Sequence, residues 1–441
     1  MANIFPFHGT LYNQEIVGDI RNVVAPPYDA IDAEAQKAIH ARHQHNVIRL
    51  ELGLDQPDDG PSQNRYTRAA FLLSDWLTSG ALRRDPEPAI YPYRIEYQVP
   101  SGEPGIDHRI LKGFLSVVEL EEFGTGRIYP HENTRSAAKT DRLKLLETCR
   151  ANFSPIFSLF SDPEGRVHQL IEKSVNVDRP RIDLLDDSGF RHQLWAMTDR
   201  DLLHELAHAM KPKPVFIADG HHRYETALTY RRLRRQQTSQ QPSGGLQPYD
   251  CVLMLFASLE DSGLTILPTH RVLKTPVPTA VAIKDRLRQR FEIEEVSFTS
   301  DREVETRRRF LRTLRARGQT GQVFGLALRG VQAYMLLSLR PDHRRTGASA
   351  RDRLDVSILH TQILSALTTA DSGEDAILYT KDDGEALDLV RQGTGEAALL
   401  LNPTKVSEVQ AVAAAGDRMP HKSTYFFPKP LTGLVMNVME W

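Results

Sequence analysis

Val215-Phe216-Ile217-Ala218-Asp219-Gly220-His221-His222-Arg223-Tyr224-Glu225-Thr226-Ala227-Leu228 is the stretch on which the reading of this 441-residue chain turns. Its first four residues are apolar and suit a short buried strand. Asp219-Gly220 is turn chemistry. From Tyr224 onward, Tyr224, Ala227, Leu228 and Leu233 fall close to helical spacing,. The segment therefore predicts strand, tight turn, helix, with His221, His222 and Arg223 at the helix start. A first helical turn carries unpaired N–H groups and the positive end of the dipole, so it welcomes anions. Arg223 is unfavourable there for the helix alone and becomes sensible beside a phosphate or carboxylate. The same residues also fit an Asp219 N-cap with a left-handed Gly220 and solvated histidines. A shared metal is disfavoured for His221 and His222, because adjacent helical residues point about 100° apart.

Composition narrows the classes. A hydrophobic fraction of 40% with 25% charged residues describes an ordinary globular protein,. A net charge of −2 gives no global attraction to nucleic acid or acidic membranes, so neither is expected as a partner,. Cys149 and Cys251 are the two cysteines, which excludes a disulfide scaffold and favours a reducing compartment, the cytoplasm,. No apolar run reaches membrane length, and residues 1–10 lack the pattern of a secretory signal,.

Along the chain, strand-like and helix-like pieces alternate. Strands are expected at Asn22–Asp29, ending in Ala25-Pro26-Pro27-Tyr28-Asp29, at Asn46–Gly53 and at Ala89–Pro100, with a hairpin loop over Pro100–Asp107. Helices are expected at Ala33–Arg42 and Tyr66–Gly80. His131-Glu132-Asn133-Thr134 resembles a zinc-protease pattern, but residue 135 is Arg, so the second ligand is missing,. A polar cluster with Lys139, Asp141 and Arg142 remains, leading into a helix over Leu143–Cys149; Thr134 or Asp141 as N-cap accounts for part of it. Trp195–Met210 carries an amphipathic helix. Arg231–Arg235 reads as a solvated face opening a surface excursion that runs to Tyr249.

Cys251–Leu259 suits a strand buried on both faces. Gly263–Arg271 is a further strand ending in Thr269-His270-Arg271, either an anion contact or an exposed edge. Thr279–Leu339 reads helix, strand, helix, two strands; its second helix, Arg302–Arg315, has six arginines and looks solvated. Pro341–Arg351 is a polar break and the expected hinge. Beyond it come a helix (Leu354–Leu367), a strand (Ala376–Thr380), a helix (Glu385–Gln392), a strand (Ala397–Leu401) and a helix (Val406–Ala415). Gly393-x-Gly395-x-x-Ala398 follows a helix and precedes a strand, the reverse of a dinucleotide fingerprint. The segment Met419–Lys429 is not a P-loop, because His421 stands where glycine is required. It suits a terminal strand that packs Tyr425 and Phe427 inward and presents Lys422 and Thr424. The fold class is α/β (α+β) with mixed sheets. Three segments are expected: an N-terminal lobe (1–200), a central lobe carrying the turn (201–345) and a C-terminal segment closing the site (346–441).

Several of these stretches, taken together, resemble one family. Asp-Gly-His-His-Arg-Tyr-Glu-Thr-Ala (219–227) resembles the signature of the bacterial and archaeal family catalogued as domain of unknown function 1015. That motif is similar to the phosphate-binding Gly-x-His-Arg turn of the ParB/sulfiredoxin-like fold. Ala-Pro-Pro-Tyr-Asp (25–29), His-Glu-x-Thr (131–134) with Lys139 and Asp141-Arg142, Leu-Pro-Thr-His-Arg (267–271) and Met-Pro-x-Lys-Ser-Thr-Tyr-Phe-x-Pro-Lys (419–429) resemble further family motifs.

The resemblance implies a phosphate-binding centre whose enzymatic relatives phosphorylate free serine. Sulfiredoxin-like chemistry needs a cysteine beside the motif, and neither Cys149 nor Cys251 is there. The expected activity is a phosphotransferase acting on a small hydroxyl metabolite, free L-serine first, with Mg²⁺ and a nucleotide or pyrophosphate donor. Phosphoryl transfer needs positioning and charge neutralisation more than a covalent nucleophile. Gly220, His221, His222, Arg223, His131, Thr134, His270, Arg271, Ser423 and Thr424 are the candidate phosphate contacts. Asp219, Glu132 and Lys422 are the candidate catalytic groups, with Asp219 and Glu132 also the candidate Mg²⁺ ligands. The alternative is a ParB-like nucleotide-binding regulator, nucleic-acid-associated or otherwise, without turnover. The expected partner is a small molecule, and the oligomeric state stays open.

Overall fold

The computed structural model describes residues 2–99, 107–132, 136–237, 245–343, 348–368 and 376–439. The chain divides into two compact units. One takes Met1–Val99, Asp107–Thr265 and Pro428–Trp441, the other Ile266–Phe427 together with residues 100–106. The two units do not coincide with the three consecutive segments expected from sequence. The boundary at 200 falls inside the first unit, the hinge at 341–351 falls inside the second, and the last residues rejoin the first.

The first unit is built on a nine-stranded mixed sheet. Its main path runs Ile128–Tyr129, Val215–Asp219, Ile156–Phe160, Cys251–Ser258, Asp107–Glu119, Tyr91–Val99, Arg191–Leu194, Ile182–Leu185. Val215–Asp219 is parallel to Ile128–Tyr129 and antiparallel to Ile156–Phe160, which is itself parallel to Cys251–Ser258. Cys251–Ser258 lies in the middle of the sheet as its unbroken apolar run requires,. The motif strand was expected centrally and lies second from the edge. Phe114, Phe160, Ile217, Met254 and Phe256 form the core with Leu206 and Met210 from the helix Arg200–Met210 and with Tyr224, Ala227 and Leu228 from the motif helix His221–Gln237.

Two expected strands are corrected. Asn22–Asp29 is instead two short 3-10 turns, Ile20–Asn22 and Tyr28–Ala30, around an isolated bridge at Ala25. Pro26 and Pro27 deprive the segment of ladder donors, so a strand cannot propagate. Asn46–Gly53 is the short helix Ile48–Glu51, with Val47, Ile48, Leu50 and Glu51 all buried. Short apolar runs do not separate strand from buried helix by periodicity. Here the Asn46 amide decides, donating to the Asn22 and Val24 carbonyls while its oxygen accepts from the Ile48 N–H. The helices Ala33–Arg42 and Arg65–Thr78 and the strand Tyr91–Val99 stand as expected, and Tyr91–Val99 pairs antiparallel with Asp107–Glu119. Residues 100–106, most of the expected hairpin loop, lie outside the described residues.

The second unit carries a six-stranded sheet in the order Phe291–Ser297, Ala333–Leu339, Val323–Leu328, Ala397–Leu400, His270–Leu273, Ile377–Thr380. Every neighbouring pair in it is antiparallel. The expected run of helix, strand, helix, two strands over Thr279–Leu339 is found, as is helical structure from Asp355 to Leu367, which includes a π turn at Leu359–Leu364. The strand expected over Gly263–Arg271 is split into Thr265–Leu267 and His270–Leu273, Pro268 falling in the break,. Tyr425–Phe427 is a strand, but Phe426 and Phe427 are buried while Tyr425 is half-buried.

Candidate functional site

The motif strand ends at Asp219 with a bulge. Ile217 pairs with Ser158 and Asp219 with Phe157, so Ala218 has no partner in the register. A bulge of this kind re-aims the side chains that follow it. Gly220 then takes φ +92°, and the helix starts at His221. A Cβ at Gly220 would stand 2.9 Å from Arg223 Nε, so glycine here serves both the left-handed turn and the return of Arg223 over it,.

That return creates a charged cluster. Arg223 donates from Nη2 to Asp219 Oδ2 at 3.0 Å and from Nη1 to the Pro155 carbonyl at 2.6 Å. Lys429, from the end of the chain, donates to the other Asp219 oxygen, Oδ1. Asp219 and Lys429 side chains are each 15% exposed and Arg223 10%, so the cluster is sheltered yet reachable. The Asp219 carboxylate thus holds both cations at the head of the motif helix.

His131 and His221 are tied to each other and, through His131, to the motif strand. His131 is buried, its backbone N–H donating to His221 Nε2 at 3.1 Å and its Nδ1 donating to the Ile217 carbonyl at 2.6 Å. The two rings meet edge to face with centroids 4.6 Å apart. Burial pushes the His131 imidazole down to about 4, so it is neutral at physiological pH,. His131 and buried His221 therefore tie the 128–131 segment to the motif strand. Glu132 and His222 are half-buried; Thr134 lies outside the described residues.

Beside the turn stands Tyr28 of the Ala-Pro-Pro-Tyr-Asp segment, with the Arg142 guanidinium 4.3 Å from its ring centroid and the Arg223 guanidinium 5.9 Å from it. Arg142 is buried and donates to the Glu51 carbonyl at 2.9 Å, to Glu51 Oε1 at 3.2 Å and to Asp141. Ser154 also donates to Glu51 Oε1, at 3.0 Å. Lys139 pairs with Glu225 of the motif helix at 2.9 Å. A cavity of about 40 Å³ lies among Glu51, Arg142, Ser154 and Arg223. That is far below the roughly 300 Å³ at which small-molecule pockets begin. It belongs to the support of the turn, not to a ligand.

Sequence reasoning quoted Tyr28, Lys139, Asp141 and Arg142 as motif residues without giving them roles, and missed Glu51. It left Lys429 out of the site. Lys429, eight residues before the strand Asn437–Val438, carries no local signal of its partner. Arg231 was expected to be solvated and is buried, donating to the Leu120 carbonyl and pairing with Glu122 at 2.9 Å, because the motif helix continues to Gln237. Arg307 likewise is tied to Glu303 and Asp388.

His270, Arg271, Lys422, Ser423 and Thr424 belong to the second unit. His270 is buried, its Nδ1 accepting from the Leu401 N–H at 3.3 Å, and burial with Arg271 nearby pushes it down to about 3. Arg271 is buried too, donating to the Thr269 carbonyl and, at 2.8 Å, to the Lys422 carbonyl. This link holds Lys422 at φ +58° with its side chain exposed. Ser423 is buried and donates to the Pro420 carbonyl; Thr424 is half-buried. His270 and Arg271 are thus interior ties of their own unit.

For Mg²⁺ the expected ligands were Asp219 and Glu132. Both Asp219 oxygens already take cationic donors. Among the described residues, no group of three or more His, Cys, Asp or Glu is placed to hold a metal. The arrangement at Asp219 is that of an anchor for Arg223 and Lys429, and it does not fit a preformed metal centre.

A mixed-sheet α/β protein with a cation-rich strand-turn-helix is the class these features define. Within that class, the chain belongs to the family described as protein of unknown function DUF1015, matched over residues 4–357. The segment 419–429 lies beyond the matched range. No curated protein matches the chain. Among solved structures it is similar to a conserved hypothetical protein from Pyrococcus furiosus, with 11% identity and a TM-score of 0.33, covering 73% of this chain and 93% of that one. It is also similar to a free serine kinase in complex with AMP, with 11% identity and a TM-score of 0.33, covering 71% and 87%. A third is SbnI with a C-terminal truncation from Staphylococcus aureus, with 10% identity and a TM-score of 0.36, covering 74% and 87%. No helix among the described residues is long and apolar enough to cross a membrane.

Proposed function

We propose that the chain is a cytoplasmic phosphotransferase that phosphorylates a small hydroxyl metabolite, free L-serine first, with a nucleotide or pyrophosphate as donor. The observation that carries this reading is the meeting of Asp219, Arg223 and Lys429 at the start of the motif helix, sheltered but within reach of solvent. Arg223 and the first-turn N–H groups at Gly220, His221 and His222 bind donor phosphate oxygens, an Arg fork matching them in geometry. Lys429 adds positive charge at the same place,. Asp219 or Glu132 takes the acceptor's hydroxyl proton, which leaves late in a loose transition state. Mg²⁺ belongs to the reading as the donor's counter-ion, arriving with its phosphates.

Incubation of the full chain with L-serine, Mg²⁺ and, separately, ATP, ADP or pyrophosphate, followed by assay of phosphoserine, tests the reading. Phosphoserine with at least one donor supports it. Nucleotide binding without phosphoserine from any of the three favours the alternative, a ParB-like nucleotide-binding regulator.

A further inference from the structure

We propose that the second unit carries a separate binding site for a small ligand with a primary ammonium group, in the cavity bounded by Asp355, Gln362, Lys405 and Glu408. The cavity measures about 420 Å³ and lies wholly within that unit. This volume falls in the range of roughly 300–1,000 Å³ usual for small-molecule pockets.

Its chemistry is one-sided. Asp355 opens the helical stretch that ends at Leu367, and its carboxylate makes no hydrogen bond or ion pair with any described residue. Glu408 faces the same space, and one of its oxygens accepts from the Lys405 N–H at 2.8 Å. The Lys405 ammonium is directed to the Gln319 carbonyl, 3.1 Å away, so it does not neutralise Asp355 by contact. The π turn at Leu359–Leu364 brings Gln362 to the wall, where its Oε1 is shut off from solvent with no donor.

The two Asp355 oxygens and the Glu408 oxygen not taken by the Lys405 N–H offer three acceptors to the three N–H donors of an alkylammonium group,. Leu339, Leu354 and Ile358 supply an apolar wall for an alkyl chain. Burial and the Glu408 charge push the Asp355 carboxyl up to about 7, the state of a carboxylate lacking its cation,.

The site is independent of the turn at Asp219, and it is tested on the full chain by calorimetric titration at pH 8 with putrescine and with 1,4-butanediol. Putrescine is expected to bind saturably and butanediol not to bind. Asp355→Asn removes the charge without breaking any contact of the fold, and is expected to weaken putrescine by roughly tenfold or more. Absence of saturable putrescine binding overturns the proposal, as does unchanged affinity in both Asp355→Asn and Glu408→Gln. Neither result bears on phosphoserine formation.

Discussion

Lys429 donates its ammonium to Asp219 Oδ1 across 210 positions of sequence, and Arg223 holds the other oxygen of the same carboxylate. Asp219 is thereby the hub that fixes two cations at the head of one helix. Each cation has a defined effect when removed.

Under the phosphotransferase reading, Asp219→Asn should lower phosphoserine formation by about 10²–10³ while the far-UV spectrum stays native. Arg223→Ala and Lys429→Ala should chiefly raise the donor KM, each by roughly tenfold or more, since a charge-assisted hydrogen bond is lost. Near-normal kinetics in both Asp219→Asn and Glu132→Gln would refute the assignment of the carboxylates.

Gly220→Ala should destabilise the protein by about 1–2 kcal/mol, because φ +92° is left-handed and the new methyl meets Arg223 Nε at 2.9 Å,. Thermal melting reads the stability and donor titration reads the displaced guanidinium. An unchanged melting temperature together with unchanged donor affinity would show that the turn tolerates a side chain.

Arg142→Met leaves the Glu51 carboxylate buried with Ser154 as its remaining side-chain donor. Both partners of the pair are 5% exposed, so the loss should be about 3–5 kcal/mol, measured by urea unfolding at pH 7,. A loss below 1 kcal/mol, about the value of a surface pair, would mean that water reaches Glu51.

Acid should weaken the first unit through His131. Its folded value of about 4 lies below the ordinary 6.5, so the unfolded chain takes up a proton first as the pH falls,. The stability held by the neutral ring is complete above pH 6.5 and is lost progressively down to about pH 4. At pH 5 the loss is about 2 kcal/mol. His131→Gln should flatten this slope between pH 7 and 5 in denaturant titrations; an identical slope in both proteins removes His131 as its cause.

Asp355 gives the opposite sign. Its folded carboxyl sits at about 7, above its ordinary 3.8, so stability is fully present below pH 3.8 and is lost as pH rises through 7,. Without ligand, Asp355→Asn should therefore stabilise the protein at pH 8, by on the order of 2 kcal/mol after allowance for its partial exposure, and change little near pH 4. Destabilisation at pH 8 would contradict an uncompensated Asp355.

The strand, the turn and the helix at 215–237 were legible because each rests on local pattern. Four apolar residues, a glycine at a left-handed position and helical spacing from Tyr224 suffice,. The same holds for the helices and strands of 280–339 and 377–414, where helical spacing alternates with short apolar runs,. The location of the turn itself was likewise carried by Asp219-Gly220 and Arg223 alone.

Only the tertiary structure decided which groups meet there. Lys429 on Asp219, Arg142 on Glu51 and the His131–His221 contact join segments 210, 91 and 90 positions apart, and no periodicity encodes such pairings. It also decided that His131, His221, His270 and Arg271 are interior. A polar side chain in a motif reads alike whether it faces solvent or is buried on a backbone carbonyl; what separates the two is the desolvation set by neighbours the local sequence does not name.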